Sequence, residues 1–523
     1  MVEENKKSTS FSTILIIMVL IGVALRTYHL FLVGFDKPWG AGGLYLEFAR
    51  QIFHNHYSLP VSIPHYTYGG LPFAYPPLPF YVESFLVFSL GLPEYFVVNI
   101  LPPIVSILSL FLFFVLIKKV LKNKFSKLIA ITLFSILPIA YIEQLPGAGL
   151  AESFGTFFII LLLIVFWSYY QNPYNFLRLL VSSLAWGLTV MASPASAYIS
   201  VFIYFTLLFL LVKKHRNELK KTIIHVVLLG LFALLWSSFY WGNVIRNHGL
   251  DLLFKSFISH HGGVSFFVSF FVRLAKMDII TNEPILSLLF IASLFVLVYH
   301  NKFELLFLAL FSVLIPRENW IMGIIGIIIV GYAFDLVLNN LPEDLFQKEN
   351  RMFSFIIITL TVAGIFILRP LYFILTRELF LEHSLDNSQI HFLESLKEKD
   401  LPTENLIILG NDEFLEWSPY ITEKSVLNVW FGTELAPSKF WVKDFHESLI
   451  ECKTTSCVNE ITRRYFNDET IVVVDSFFMK ESFAGRLLSL ESRHLGILVG
   501  GWMTSSFNEA FQYPLHIVSR VPC

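Results

Sequence analysis

The sequence predicts a polytopic α-helical membrane protein with a small α/β domain near its C-terminal end. Hydrophobic residues make up 55% of the 523 residues, charged residues only 15%, and the mean hydropathy is +0.64. These values are typical of membrane proteins and far from those of a soluble globule. The net charge of −2 gives no support for nucleic acid as a partner.

Apolar stretches suited to crossing a bilayer recur along residues 1–373. A spanning helix needs about 20 predominantly apolar residues. About eleven stretches are candidates, at residues 11–32, 94–117, 127–142, 149–169, 176–192, 196–212, 222–241, 284–299, 303–316, 320–338 and 353–373. We therefore predict a transmembrane domain over residues 1–373. Two shorter stretches, 78–91 and 262–275, are more typical of re-entrant or interfacial segments.

The distribution of Lys and Arg predicts the orientation in the membrane. The basic loops KKVLKNKFSK (118–127) and KKHRNELKK (213–221) fall on one side together with the lysine-containing N-terminus. Because basic loops face the cytoplasm, the N-terminus is expected there. The segment after the last span is then extracytoplasmic, in a multi-pass protein of the plasma membrane.

Residues 374–523 have a different composition and predict a soluble α/β domain. The apolar runs LIILG (406–410) and IVVVD (471–475) have the pattern of strands buried on both faces. Polar helical stretches at 387–399 and 480–492 surround them.

Cys452 and Cys457 lie within this domain, in CKTTSC. Outside the cytoplasm such a pair can oxidise, and the short spacing also fits two free thiols in a loop. The sequence leaves both readings open. Neither a zinc-ligand spacing nor a Gly-rich phosphate motif is present.

The stretch 34–81 is the longest ordered outer loop, and it is too polar and too rich in Gly and Pro for a simple hairpin. It opens with Asp36, directly after the first span. Residues 44–57 predict an amphipathic helix in the membrane interface with its apolar side towards lipid. Polar rings follow between Gly and Pro turn signals, at His65, Tyr66 and Tyr75. Ordered loops of this length are often functional, so we interpret it as one wall of a site.

Three carboxylates are candidates for chemistry at this site. Asp36 is placed to act as a general base for a hydroxyl acceptor or as a metal ligand; the alternative is an interfacial charge beside Lys37. Glu143 ends one span, and Glu152 lies in the first turn of the next helix, where the helix dipole also favours a carboxylate. Because acidic residues facing lipid are costly, both are expected to face the protein interior or a cavity.

Cationic side chains on the same side predict a phosphate site at headgroup depth. Arg246 and His248 lie in WGNVIRNHG, and Arg317 lies in IPREN between two spans. A guanidinium matches a phosphate in bidentate fashion. The alternative is a set of separate solvated loop residues, with Arg317 paired to Glu318.

Taken in order, these stretches resemble the GT-C superfamily of membrane glycosyltransferases, which includes the protein O-mannosyltransferases and the aminoarabinose transferases. The resemblance covers residues 11 to about 373. Its pieces are Arg26 in the first span, Asp36 at the start of a large outer loop, GLPFAYPPLPFY (70–81), the turn between Glu143 and Glu152, MASPASA, WGNVIRNHG and IPREN.

The resemblance implies transfer of a sugar from a polyprenyl-phosphate carrier to a glycan, lipid or protein acceptor on the outer membrane face. The family's first-loop acid maps to Asp36, which would deprotonate the acceptor in one inverting displacement. Glu143 and Glu152 complete the expected catalytic set. No cofactor is assigned, and a divalent metal is left open, because Asp36 is followed by Lys37 and the loop has no Asp-x-Asp.

The remaining candidate residues are expected to bind the donor phosphate and the sugar or acceptor. The phosphate of the donor would be held by Arg317, Arg246 and His248. The sugar or acceptor would be bound by His65, Tyr66 and Tyr75. Chemistry agrees with this reading, because nucleotide sugars are not normally available outside the cytoplasm and a donor there must be lipid-linked. Two alternatives are a flippase or transporter for lipid-linked sugars, for which inverted repeats would be expected, and a non-catalytic protein of envelope assembly.

Overall fold

The computed structural model describes residues 2–500 of the chain, apart from several gaps. The gaps are at 41, 145–148, 262–283, 314–318, 341–383, 386, 400–404, 431, 434–435, 440, 452–454, 467–470 and 476–496.

α-Helices make up most of the described chain. In order they are α1 (Val2–Val33), α2 (Gly43–His54), α3 (Leu78–Ser84), α4 (Glu94–Val120), α5 (Lys124–Ile136), α6 (Gly149–Gln171), α7 (Phe176–Val190), α8 (Pro194–Lys214), α9 (Leu219–His261), α10 (Pro284–Tyr299), α11 (Phe303–Val313), α12 (Asn319–Asn340), α13 (Asn387–Glu398), α14 (Asp412–Thr422), α15 (Trp441–Glu451) and α16 (Thr455–Tyr465).

The prediction of a polytopic helical membrane protein is confirmed. Every span predicted up to residue 340 overlaps one of these helices, and the stretches 262–275 and 353–373 lie outside the described residues. Within the described chain, six helices are long and apolar enough to cross a membrane, or seven if α5 and its bent continuation form one span. Other predicted spans, such as α7 and α10, are shorter apolar helices.

The span predicted at 127–142 is broken. Helix α5 ends at Ile136, and the chain continues through two 3₁₀ turns, Pro138–Ala140 and Ile142–Gln144, at an angle of 82° to it. Proline has no N–H to donate, and it disfavours the helical conformation of the residue before it. Leu137 is accordingly extended (φ −68, ψ 126). The chain therefore bends away from the axis of α5, and Glu143 lies in the bent segment.

The C-terminal segment contains a parallel four-stranded sheet, which confirms the predicted α/β region. Its strands are β3 (Asn405–Leu409), β4 (Ser425–Val426), β5 (Ile471–Asp475) and β6 (Ile497–Gly500), in the order β4-β3-β5-β6. The two predicted strands pair directly, with Ile408 opposite Val473. Helix α13 matches the predicted helical stretch at 387–399, whereas the stretch at 480–492 lies outside the described residues.

The outer loop 34–81 shares one hydrophobic core with this C-terminal segment. The loop contains α2, α3 and a short hairpin of β1 (Ser62–Ile63) and β2 (Leu71–Pro72). Its buried residues Phe48 and Phe80 belong to the same cluster as Phe414. Helix α2 was expected to lie on lipid, and this interpretation is wrong, because α2 packs between α3 and α14 with Glu47 on its polar side also buried.

Candidate functional site

The loop 34–81 is bound to four other parts of the chain at one end of the helix bundle. Its partners are the start of α4, the turn between α7 and α8, helix α9 and the C-terminal segment. The hydrogen bonds to the helices are Asn99 Nδ2 to the Lys37 carbonyl (2.8 Å), Leu78 N to the Met191 carbonyl (3.0 Å), the Tyr240 hydroxyl to the Ala74 carbonyl (2.8 Å) and His248 Nε2 to the Val61 carbonyl (2.9 Å). The loop is therefore a fixed structural unit.

Helix α14 of the C-terminal segment holds the N-terminus of α2. The Glu416 carboxylate accepts hydrogen bonds from the backbone N–H groups of Gly43 (3.1 Å) and Leu44 (2.6 Å), and Trp417 Nε1 donates to the Gly40 carbonyl (2.7 Å). The N-cap position of α2 is a glycine that makes no side-chain cap. Glu416 thus satisfies donors that every helix N-terminus leaves unpaired.

Glu416 is also fully buried. Burial raises the pKa of Glu416 to about 8, and the two N–H bonds oppose this rise because they favour the carboxylate. The sequence gives little indication of this contact, since a glutamate in a helix is usually solvated.

Two of the predicted acceptor-binding residues attach the loop to the C-terminal segment, one to helix α14 and one to strand β4. The buried Tyr66 hydroxyl donates to the Glu416 carbonyl at 2.9 Å, and burial raises the pKa of Tyr66. The His65 carbonyl accepts from Val426 N at 2.9 Å, so the loop extends the sheet beyond β4. Tyr75, the third, is nearly buried in a cluster of aromatic rings.

Asp36 is exposed on a fixed backbone. The chain leaves α1 through Gly34, whose φ of +91° suits glycine. The next residue but one is Asp36, whose side chain is solvent-exposed. The Lys37 carbonyl after it is held by Asn99 of α4. The Asp36 carboxylate is therefore accessible to a substrate, while the backbone that follows it is held in place by a hydrogen bond from α4.

The structure places Glu143 and Glu152 on adjoining turns. A Cβ added at Gly149 would lie 2.6 Å from the carbonyl carbon of Gln144 and 3.0 Å from the Glu143 carbonyl oxygen. The chain therefore returns directly onto the 3₁₀ turn, and Glu152 follows in the first turn of α6. Glu143 is exposed and Glu152 is half-buried.

We expect Gly149→Ala to disturb this pair. The new methyl group would meet backbone atoms, which cannot rotate away, and overpacking of this kind costs about 1–3 kcal/mol. Displacing the carboxylates should lower turnover roughly tenfold or more. Gly242→Ala in α9 is the matched control, because nothing lies within 4 Å of its added Cβ. Turnover of the Gly149 variant equal to that of the control would show that the turn tolerates the change.

A buried polar network lies beneath these carboxylates. Arg26 Nε donates to Ser106 Oγ (3.1 Å), Ser106 Oγ donates to Gln144 Oε1 (2.6 Å), and Gln144 Nε2 donates to Thr156 Oγ1 (2.9 Å). The network joins α1, which Asp36 follows, to α4, to the 3₁₀ turn that contains Glu143 and to α6, which contains Glu152. Polar residues within apolar spans were the only available signal for it.

Two of the predicted phosphate-binding cations lie at this same end. Arg246 is exposed on α9, shortly before the helix breaks at Gly249 (φ 79, ψ 167). His248 lies between Arg246 and Gly249, and its Nε2 forms a hydrogen bond with the Val61 carbonyl of the outer loop. The break therefore falls where α9 meets the outer loop. Arg317 lies outside the described residues.

Glu83 is a buried carboxyl group that the sequence reading did not single out. It has no exposed surface, and neither of its oxygens has a hydrogen-bond partner among the described residues. It lies in α3, directly before a π-helical turn at Phe85–Ser89. Burial raises the pKa of Glu83 to about 8. The available signal was one acidic residue inside the apolar stretch 78–91.

Glu83 should make stability depend on pH. In the folded protein it stays protonated up to about pH 8, whereas an unfolded chain releases the proton near pH 4.5. The stabilisation is thus complete below pH 4.5 and is lost as pH rises to about 8, at about 1.4 kcal/mol per pH unit. We expect the melting temperature of wild type to fall relative to Glu83→Gln between pH 5 and 8, and then to level off. Parallel curves would contradict this.

A metal site is not evident in the described part of the chain. No group of three or more His, Cys, Asp or Glu side chains that could hold an ion occurs among those residues.

Known proteins resemble this chain in three-dimensional structure but not in sequence. No protein-family model matches the sequence, and no curated protein matches it. Several solved structures do match. The archaeal oligosaccharyltransferase AglB from Archaeoglobus fulgidus, in complex with an inhibitory peptide and a dolichol-phosphate, aligns with a TM-score of 0.57 and 14% identity, covering 97% of this chain and 75% of that one.

Two further solved structures were found to be similar. The same A. fulgidus enzyme tethered to an acceptor peptide with the NVT sequon gives a TM-score of 0.57 at 14% identity, with 88% and 68% of the two chains covered. ArnT from Cupriavidus metallidurans, bound to undecaprenyl phosphate, gives 0.46 at 12% identity, with 92% and 95% covered.

The chain has a fold similar to that of the oligosaccharyltransferase AglB across most of its length. AglB has the fold of the GT-C membrane glycosyltransferases. The expected GT-C resemblance is therefore confirmed at the level of the fold.

Proposed function

We propose that the protein is an integral membrane glycosyltransferase that moves a sugar from a polyprenyl-phosphate carrier to an acceptor, with Asp36 as general base. The observation that carries the proposal is the position of Asp36. It is an exposed carboxylate on a constrained backbone, at the end of the bundle where Arg246, His248 and the outer loop meet. The GT-C fold supports it, because the similar A. fulgidus structure contains a dolichol-phosphate.

The proposed reaction is a single displacement. Asp36 takes the proton from the acceptor hydroxyl, whose oxygen attacks the anomeric carbon while the bond to the phosphate oxygen breaks. Polyprenyl phosphate leaves, and its charge is stabilised by Arg246, His248 and Arg317. The anomeric centre is inverted. Glu143 and Glu152 border the site, and His65 and Tyr75 contribute to binding of the sugar or acceptor.

We place this site on the extracytoplasmic face. The basic loops 118–127 and 213–221 support a cytoplasmic N-terminus. Independently, Cys457 in α16 is disulfide-bonded, as expected of a segment outside the reducing cytoplasm. Labelling whole cells with an impermeant thiol reagent tests the assignment. Modification of a cysteine at Lys119 but not of one at Ser388 would place the C-terminal segment inside.

The function is tested by incubating purified protein with a panel of polyprenyl-phosphate sugars and candidate acceptors. We expect release of free polyprenyl phosphate with at least one donor, and loss of release in Asp36→Asn. Asp444→Asn on the exposed surface of α15 is the matched control. If no donor is consumed and the protein instead moves lipid-linked sugars across liposomes, the transporter alternative replaces this proposal.

A further inference from the structure

A cavity of about 390 Å³ lies at the end of the bundle opposite the candidate site. It is bordered by α4, α6, α8, α11 and α12. Helix α8 begins at Pro194, next to the outer loop, and ends with Lys213 and Lys214 at the cavity mouth. Its 21 residues span about 30 Å. That length equals the hydrocarbon core of a bilayer, so the mouth lies at the level of the other leaflet's headgroups.

The cavity combines apolar walls with a cationic rim. Side chains such as Leu163, Phe166 and Ile325 line the interior. The charged residues at the rim are Lys213, Lys214, Lys302 and Glu304. Lys213 pairs with Glu304 at 3.3 Å, and Lys214 Nζ donates to the Tyr170 carbonyl at 3.0 Å. Three lysines against one glutamate leave an excess of positive charge directly above an apolar space.

The indole of Trp167 also lines the cavity, and no described residue accepts a hydrogen bond from its N–H. Nε1 is buried and finds no hydrogen-bond partner among the described residues. A buried indole N–H normally has one. The missing acceptor and the cationic rim point to the same kind of occupant, one with an anionic, oxygen-rich head and an apolar chain.

We propose that this cavity binds one anionic glycerophospholipid, with an acyl chain between α6, α8 and α12 and the phosphate at the lysines. Charge complementarity selects this occupant, since anionic headgroups attract basic clusters at the membrane surface. The volume lies within the range of small-molecule sites. The site is separate from the proposed glycosyl-transfer site and does not depend on it, because about 30 Å of helix lies between them.

The test is a lipid titration of delipidated protein in neutral detergent, followed by native mass spectrometry. We expect one phosphatidylglycerol to bind tightly and phosphatidylcholine to bind at least fivefold more weakly. The double variant Lys214→Gln/Lys302→Gln should lose at least fivefold in phosphatidylglycerol affinity. The matched control Lys118→Gln/Lys119→Gln removes the same charge at the same end of the bundle but outside the cavity lining, and it should stay within twofold of wild type.

A second measurement tests the chain. Phosphatidylglycerol with brominated acyl chains should quench tryptophan fluorescence, and Trp167→Phe should remove part of that quenching. Equal binding of both lipids, or an equal loss in the two double variants, would overturn the proposal. Complete displacement of the lipid by millimolar inorganic phosphate would also overturn it, because it would show recognition of phosphate alone.

Discussion

Asp36→Asn is expected to bind the lipid donor normally and to turn it over at least about 100-fold more slowly than wild type. A general base typically contributes roughly 10²–10⁴-fold to rate. The substitution keeps the size and hydrogen-bonding capacity of the side chain and removes its basicity. Because the Asp36 side chain is exposed, folding should be unaffected. This combination is the signature of a group that acts only in the transition state.

Donor binding and turnover must be measured on the same preparation, because a misfolded variant is also inactive. Asp444→Asn, the same chemical change at another exposed site, should match wild type in both. If donor binding survives and turnover stays within about threefold, which is well under 1.4 kcal/mol of barrier, Asp36 is not the base. Glu143→Gln is then the next variant. Full activity of both would leave the glycosyltransferase proposal without a mechanism.

The helical architecture was predictable because a bilayer imposes a strong constraint on sequence. Each span must satisfy its backbone polar groups internally and expose apolar side chains, so hydropathy alone located every described helix of the bundle. The break at Leu137 was missed, although Pro138 marks it. A proline within an apolar run is compatible with a kinked span or a broken one, and the decision rests on contacts made elsewhere.

The surroundings of the candidate site were less predictable because they depend on contacts between residues distant in sequence. Asp36 could be singled out from its position after the first span. The capping of α2 by Glu416 joins residues more than 370 positions apart, and no local sequence pattern predicts it. The same holds for α2 itself, whose amphipathic pattern is correct but whose polar side is covered by α14.

Arg26→Met is expected to produce the largest loss of stability of any single substitution considered. Arg26 is fully buried within α1. Its guanidinium donates to the carbonyls of Phe134 (3.0 Å) and Ser135 (3.2 Å), which lie in the last turn of α5, and to Ser106 Oγ (3.1 Å). Because α5 breaks at Leu137, no following helical turn donates N–H groups to its last carbonyls. Arg26 supplies those donors and a positive charge at the negative end of the helix dipole.

Methionine fills much of the same volume and restores none of these bonds. Each polar group left unsatisfied costs about 1–3 kcal/mol, and removal of the buried charge recovers part of that cost. We therefore expect a net loss of about 2–4 kcal/mol and a melting temperature lower by several degrees. The melting temperature of Arg26→Lys should lie between those of wild type and Arg26→Met, because an ammonium keeps the charge but cannot reach all the acceptors at once.

The matched control is Arg178→Met, which removes a partly buried arginine whose guanidinium donates a hydrogen bond to the Ser168 carbonyl at 2.8 Å. It should cost about 1 kcal/mol. Arg26 also positions Gln144 through Ser106, next to Glu143. Well below its melting temperature, Arg26→Met should therefore show reduced turnover with an unchanged KM for the donor. Equal melting temperatures for the two variants would contradict the capping role, and unchanged turnover would contradict the link between the network and the carboxylates.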